Sequence, residues 1–85
     1  MLRIALAQVN ATVGDLAGNA EIVVEWARRA AARRARVVVF PEMALTGYPV
    51  EDLALRTSFV AASIATLGDV AERLNAEGLD RKSVV

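Results

Sequence analysis

The chain is 85 residues long and 55% hydrophobic, with a mean hydropathy of +0.38, and its 10 basic and 10 acidic residues cancel. Zero net charge supplies no field to draw it to nucleic acid or to an anionic membrane, and the absence of cysteine and histidine removes disulfides and ordinary zinc sites. A chain of this size buries only roughly two-thirds of its unfolded surface, so a sequence this apolar is written for a core larger than it completes alone.

The first nine residues carry one positive charge and a short apolar run broken by Gln8, unlike a signal-peptide core. No stretch approaches the ~18 apolar residues of a membrane span. A cytoplasmic setting is the expectation.

Leu2, Ile4 and Leu6 alternate with Arg3, Ala5 and Ala7 ahead of Val9. This period of two predicts a strand with one strongly apolar face and one of small residues, both suited to being covered. Residues 10–18 contain Asn10, Thr12, Gly14, Asp15 and Gly18 and read as a connecting loop. Asn19 is expected to cap a helix whose apolar face runs through Val23, Trp26, Ala27 and Ala30, with an end near residues 34–36 that no glycine marks. Trp26 is assigned to the core. Arg28, Arg29, Arg33, Arg34 and Arg36 crowd the carboxyl end, behind Glu21 and Glu25. That order predicts a solvated helix face with internal ion pairs, since no aromatic residues interleave as a base-stacking surface requires.

Val37, Val38, Val39 and Phe40 form a continuous β-branched and aromatic run, which predicts a parallel central strand buried on both faces. Strand, helix and strand at this spacing make a βαβ unit with parallel strands, so the fold class is α/β. Pro41 ends the ladder, and Tyr48-Pro49-Val50-Glu51-Asp52 reads as a turn into a short helix. A second long helix follows, capped by Thr57 or Ser58, with Val60, Ile64, Leu67, Ala71 and Leu74 on one face and Phe59 in the core. Gly68 weakens its middle, and Gly78 supplies a left-handed stop. Ser83, Val84 and Val85 resemble the opening of a third strand, so residues 1–85 read as the incomplete amino-terminal part of one domain.

In open α/β sheets, reactive groups collect in the loops beyond the carboxyl ends of the strands. Glu42 lies two residues past the run 37–40. A lone loop glutamate is usually a solvated charge, but this one follows a buried strand, with Pro41 before it and apolar Met43, Ala44 and Leu45 after it. Partial desolvation there favours service as a general base. Gly14 and Gly18 do not form a Gly-x-Gly-x-x-Gly pattern, and no Gly-Lys-Ser or Gly-Lys-Thr occurs, so a phosphate cradle in this chain is not expected.

The run Val-Val-Val-Phe-Pro-Glu-Met-Ala-Leu-Thr-Gly-Tyr, residues 37–48, resembles the segment bearing the catalytic glutamate of the carbon-nitrogen hydrolase (nitrilase) superfamily. Arg-Ile-Ala-Leu-Ala-Gln, residues 3–8, and Val-Gly-Asp-Leu-Ala-Gly-Asn, residues 13–19, are similar to its first strand and the lead into its first helix. The resemblance covers nearly the whole chain. It implies part of an αββα sandwich and a triad of glutamate, lysine and cysteine, with Glu42 in the glutamate position. In that chemistry the carboxylate takes the thiol proton as sulfur attacks an amide carbon, the lysine stabilises the oxyanion, and a thioester and ammonia result.

Within the superfamily, Thr-Gly-Tyr-Pro-Val-Glu-Asp-Leu, residues 46–53, most resembles the branch that makes NAD(+) with glutamine as nitrogen donor, departing from it at Val50, where a second proline is common. That branch implies glutamine and deamido-NAD(+) as substrates, ATP and magnesium in a further domain, and a homo-oligomer when intact. Tyr48 then either lines the glutamine pocket or has its hydroxyl satisfied by loop backbone. The chain has no cysteine, and its one lysine, Lys82, precedes the third strand, whereas the family's lysine lies beyond it; Lys82 reads as a solvated residue. This chain alone is expected to be inactive. The rival readings are a stand-alone amidase of the same superfamily and a non-catalytic α/β interaction module that pairs through an exposed strand edge.

Overall fold

The computed structural model describes residues 2–41, 43–48, 51–78 and 83–84. Three short strands, β1 (Ile4–Leu6), β2 (Val37–Val39) and β3 (Ser83–Val84), form one parallel sheet in the order β1-β2-β3. Ile4 pairs with Val37 and Leu6 with Val39, while Val37 pairs with Ser83, so β2 is the central strand its β-branched run predicts. Helix α1 (Leu16–Ala32) connects β1 to β2. A 3-10 turn (Glu51–Leu55) leads into α2 (Thr57–Ala76), which connects β2 to β3.

One core joins the sheet to both helices. Ala7, Val38 and Phe40 meet Ala20, Val23, Val24, Ala27 and Ala30 of α1 and Val70 and Leu74 of α2, with Ala5 packed at the margin. Alanines at 5, 7, 20, 27 and 30 put little side-chain bulk between helix and sheet. The other side of β1 is bare: Leu2 and Leu6 are 62% and 67% exposed. The strongly apolar face of this strand therefore has no cover within these residues, and the small-residue face takes the core. Burial on β2 is likewise unequal, with Val38 and Phe40 buried and Val37 and Val39 half-buried.

Helix α1 begins earlier than the sequence suggests. Asp15 is its cap, accepting a hydrogen bond from the Gly18 amide at 3.0 Å, which leaves Asn19 inside the first turn and 1% exposed. Trp26 is not core. It sits at the helix margin, partly exposed, with the Arg29 guanidinium 4.5 Å from the ring centroid, and the apolar stripe runs through Val24 instead. The helix ends without glycine because Arg34 itself takes the left-handed conformation, φ 62°. Arg3 reaches across from β1 to donate to the Arg33 carbonyl at 2.7 Å, satisfying one oxygen at that end.

Helix α2 differs from expectation in two ways. Neither Thr57 nor Ser58 caps it: the 3-10 turn hands over at Arg56, whose backbone is extended, so both hydroxyl residues fall inside the first turn. Its covered stripe is also rotated. Val70 and Leu74 are buried and Phe59, Ser63, Thr66 and Arg73 half-buried, whereas Val60, Ile64, Leu67 and Ala71 are exposed. Two bidentate ion pairs to α1 accompany this rotation, Arg28 to Glu77 at 2.6 and 2.8 Å and Arg73 to Glu21 at 2.7 and 3.2 Å. Glu25 makes the expected pairs within α1, with Arg29 at 3.1 Å and Arg28 at 3.7 Å. Glu77 forms the carboxyl cap, and Gly78 follows in the left-handed conformation at φ 73°, as read from sequence.

The hydrogen bond from Arg73, and then its charge, lowers the pKa of Glu21; the hydrogen bond from Arg28 does the same for Glu77. The sign follows from linkage: a carboxyl held below its ordinary 4.5 stabilises the fold above that value and ceases to do so as pH falls through the lowered one. All four side chains keep at least about a third of their surface in solvent, so the effect is modest and screened by salt. Replacing both Glu21 and Glu77 by glutamine should flatten the acid limb of thermal stability at low salt and leave little difference at high salt. Melting curves below pH 4.5 in the two ionic strengths check this, and superimposable wild-type and variant curves would refute it.

Gly68 lies in the exposed middle of α2 with nothing within 4 Å of where a Cβ would stand. Gly68→Ala should raise stability by about 0.5–1 kcal/mol, because alanine loses less backbone freedom on folding and meets no obstacle. An unchanged or lowered denaturant midpoint would contradict that.

Candidate functional site at the carboxyl ends of the strands

The carboxyl ends of β1 and β2 lie side by side, since Ala7 N donates to Val39 O at 2.8 Å just past the paired register. Two loops leave from this edge, residues 7–15 after β1 and residues 40–50 after β2. The first folds tightly onto the start of α1, with Asp15 N on Thr12 O at 3.1 Å and Leu16 N on Gly14 O at 3.1 Å. The second turns back on itself, with Ala44 N on Pro41 O at 3.1 Å and Gly47 N on Met43 O at 2.7 Å. Both loops are therefore internally bonded.

They are also tied to each other. Gly14 N donates to Thr46 O at 2.9 Å. Gly47, at φ 83°, passes so close to the first loop that a Cβ there would lie 2.6 Å from Val13 N and 2.8 Å from the Thr12 carbonyl carbon. Only glycine fits such an approach. Beneath them the buried Asn19 amide accepts from Thr12 N at 2.9 Å and donates to Thr12 O and Leu45 O, each at 2.8 Å.

Glu42 lies outside the described residues, as does Lys82; the structure describes the frame around Glu42. On one side stands Phe40, buried at 6%. On the other is Met43, whose φ of 56° is unusual for a residue with a long side chain and turns the chain sharply. Ala44 and Leu45 pack against the core, as the apolar reading of this stretch requires, but Met43 is exposed. Tyr48 follows the turn with its side chain 67% exposed, and among the described residues no hydrogen bond engages its hydroxyl. Phe59 is half-buried in the first turn of α2, and the exposed Trp26 stands on α1.

Sequence reasoning missed Asn19 and Gly47. A signal existed for the first: Asn19 falls four and eight residues ahead of Val23 and Ala27, squarely in the buried stripe, and a polar residue there implies hydrogen bonds to something. For Gly47 nothing local distinguished a close approach from an ordinary turn.

Among the described residues, no three His, Cys, Asp or Glu side chains gather to hold a metal ion. The chain is thus an α/β protein that presents a tied loop at the carboxyl edge of a parallel sheet. The sequence model of the carbon-nitrogen hydrolase family matches residues 3–78, and the chain belongs to that family.

Its relatives include the glutamine-dependent NAD(+) synthetase of Synechocystis sp., 47% identical over 74 residues that cover 87% of this chain and 13% of that protein. The glutamine-dependent NAD(+) synthetase of Thermotoga maritima is 51% identical over 59 residues, covering 69% of this chain and 10% of that protein. Among solved structures, a glutamine-dependent NAD(+) synthetase from Cytophaga hutchinsonii superposes with a TM-score of 0.77 at 28% identity, over 82% of this chain and 12% of that one. An amidase from Nesterenkonia sp. superposes with a TM-score of 0.68 at 28% identity, over 82% and 27% respectively. The chain therefore spans only 10–13% of these synthetases' length.

Proposed function

We propose that this chain is the beginning of the glutaminase domain of a glutamine-dependent NAD(+) synthetase and that Glu42 is its general base. The observation carrying this reading is the 47% identity to the Synechocystis synthetase over most of the chain, together with a loop for residue 42 tied at the carboxyl end of the central strand. In the intact protein Glu42 takes the proton of a cysteine thiol as its sulfur bonds to the side-chain amide carbon of glutamine and passes that proton to the amide nitrogen, so that the carbon–nitrogen bond breaks and ammonia leaves; water then attacks the thioester, releasing glutamate and returning a proton to the thiol. Tyr48, exposed beside the turn, lines the glutamine pocket. Cysteine does not occur in these 85 residues, so the nucleophile comes from elsewhere in the polypeptide and this segment alone hydrolyses nothing.

The ammonia serves ATP-dependent amidation of deamido-NAD(+). ATP and magnesium do not fit the residues present here, which lack a glycine-rich phosphate cradle, so no step of that second reaction is derived from them. A cytoplasmic, homo-oligomeric enzyme completes the reading; no helix among the described residues is long and apolar enough to cross a membrane.

A second reading, a stand-alone amidase, draws support from the superposition on the Nesterenkonia amidase. The two part on one experiment with the intact protein: glutamine, ATP and deamido-NAD(+) yield NAD(+) under the first reading, whereas amide hydrolysis without NAD(+) formation decides for the second.

A further inference from the structure

We infer that Asn19 is a positioning residue for the proposed base: its buried amide clamps the loop that carries Glu42 to the loop after β1 at the carboxyl edge of the sheet. The inference rests on the reading of Glu42 given above. Asn19 is 1% exposed on a helix face otherwise made of alanine and valine, where a polar side chain costs stability unless every bond it needs is made. Here all of them are. The side-chain oxygen takes the Thr12 amide, and the two amide hydrogens go to the Thr12 and Leu45 carbonyls, all at 2.8 to 2.9 Å.

The identity of the partners gives this bonding a role beyond helix stability. Thr12 and Leu45 belong to the two loops at the end of the sheet where the chemistry is proposed, and Leu45 is three residues beyond Glu42. Within the second loop, Ala44 N binds Pro41 O and Gly47 N binds Met43 O, so the segments on both sides of residue 42 move with the one that Asn19 holds. Gly14 to Thr46 is a second tie on the same pair of loops, but a main-chain one at their rim. Among the described residues, the Asn19 side chain is the α1 group that bonds to both loops.

Only asparagine supplies one acceptor and two donors at this reach. Aspartate keeps the shape and the bond from Thr12 N but turns both donors into acceptors that face carbonyl oxygens. Loss of the tie to Leu45 O frees the loop by a fraction of an ångström or more, and a general base works only within hydrogen-bond reach of its proton.

The test compares Asn19→Asp, Asn19→Ser, Glu42→Gln and Val24→Ala in the intact protein. Val24 is fully buried on the same helix and touches neither loop by hydrogen bond, so Val24→Ala loosens the core and leaves the clamp. Asn19→Asp is expected to lower kcat for glutamine hydrolysis by about 10–100-fold, with KM changed less than about threefold and ammonia-supported NAD(+) formation unchanged. Val24→Ala is expected to lower the melting temperature at least as far while retaining glutaminase kcat. Asn19→Ser, which leaves room for a bridging water, is expected to lie between. Hydrogen exchange adds a readout that does not depend on activity: amides of residues 43–47 should exchange faster in both Asn19 variants, with residues 23–30 unchanged.

Three results overturn the inference: glutaminase kcat in folded Asn19→Asp within twofold of wild type, a loss of kcat in Val24→Ala matching that in Asn19→Asp at equal loss of melting temperature, or unchanged exchange at residues 43–47 in Asn19→Ser. If Glu42→Gln retains hydrolysis, the assignment of the base falls and takes this inference with it. If Glu42→Gln is inactive and Asn19→Asp is not, only the positioning role falls.

Discussion

Glutamine hydrolysis by the intact protein should fall by about 10²–10⁴-fold in Glu42→Gln, while NAD(+) formation from added ammonia continues at the wild-type rate. The two side chains have nearly the same shape, so the substitution removes a proton acceptor and leaves packing unchanged. Hydrolysis depends on that acceptor because a thiol is mostly protonated at neutral pH and the attacking species is the thiolate. Synthesis from free ammonia bypasses the thiol. The two assays thus separate a missing base from a misfolded domain: a folding defect depresses both, and loss of the base depresses one. Ammonia release from glutamine that persists within a few-fold of wild type would remove Glu42 from the mechanism.

The second large effect is expected at Gly47. In Gly47→Ala the new methyl group would meet the Val13 α-carbon and lie 2.6 Å from Val13 N, atoms of the main chain that have no rotamer to turn away. Alanine must in addition hold φ at 83°, a conformation that itself costs about 1–3 kcal/mol outside glycine. Overpacking against backbone adds a further penalty of similar size, for a total of roughly 2–6 kcal/mol. The expected result is a clear fall in melting temperature and a loss of glutaminase activity, because the loop that swings away from Val13 is the one that carries residue 42. Gly68→Ala provides the contrast, since the same change of residue there meets open space. Equal melting temperatures for wild type and Gly47→Ala would mean that the two loops do not approach each other as described.

Much of this architecture was legible from spacing alone. The period of two in residues 2–7, the stripe through Val23, Ala27 and Ala30, and the run 37–40 correspond to β1, α1 and β2 in a parallel sheet. The segments 3–8, 13–19 and 37–48 resemble one family, and the family match over residues 3–78 agrees. The errors share a cause. Asn19 resembles a cap because it is a good capping residue near a helix start, but Asp15 stands one turn earlier and satisfies Gly18, which frees Asn19 to point inward. Size and apolarity point Trp26 toward the core, yet the ring lies beneath Arg29 at the margin while smaller valines and alanines fill the interior.

On α2 the difficulty was a choice between neighbouring stripes. Val60, Ile64 and Leu67 look more like a core than Phe59, Ser63 and Thr66 do, and by composition they are. The helix is nevertheless turned so that Val70 and Leu74 meet α1 while Arg73 and Glu77 bond to Glu21 and Arg28, partners 52 and 49 residues away. The uncovered stripe, like the bare Leu2, Ile4 and Leu6 face of β1, is the apolar surplus that the composition had already implied.

Strand and helix order, the parallel central strand and the loop that bears Glu42 follow from local chemistry, because alternation, β-branching and proline act over a few residues. Which stripe of a helix is covered, and that one buried amide ties two loops together, depend on partners up to 52 residues distant. No window of sequence contains such pairs; they come together only when packing has already brought the elements side by side.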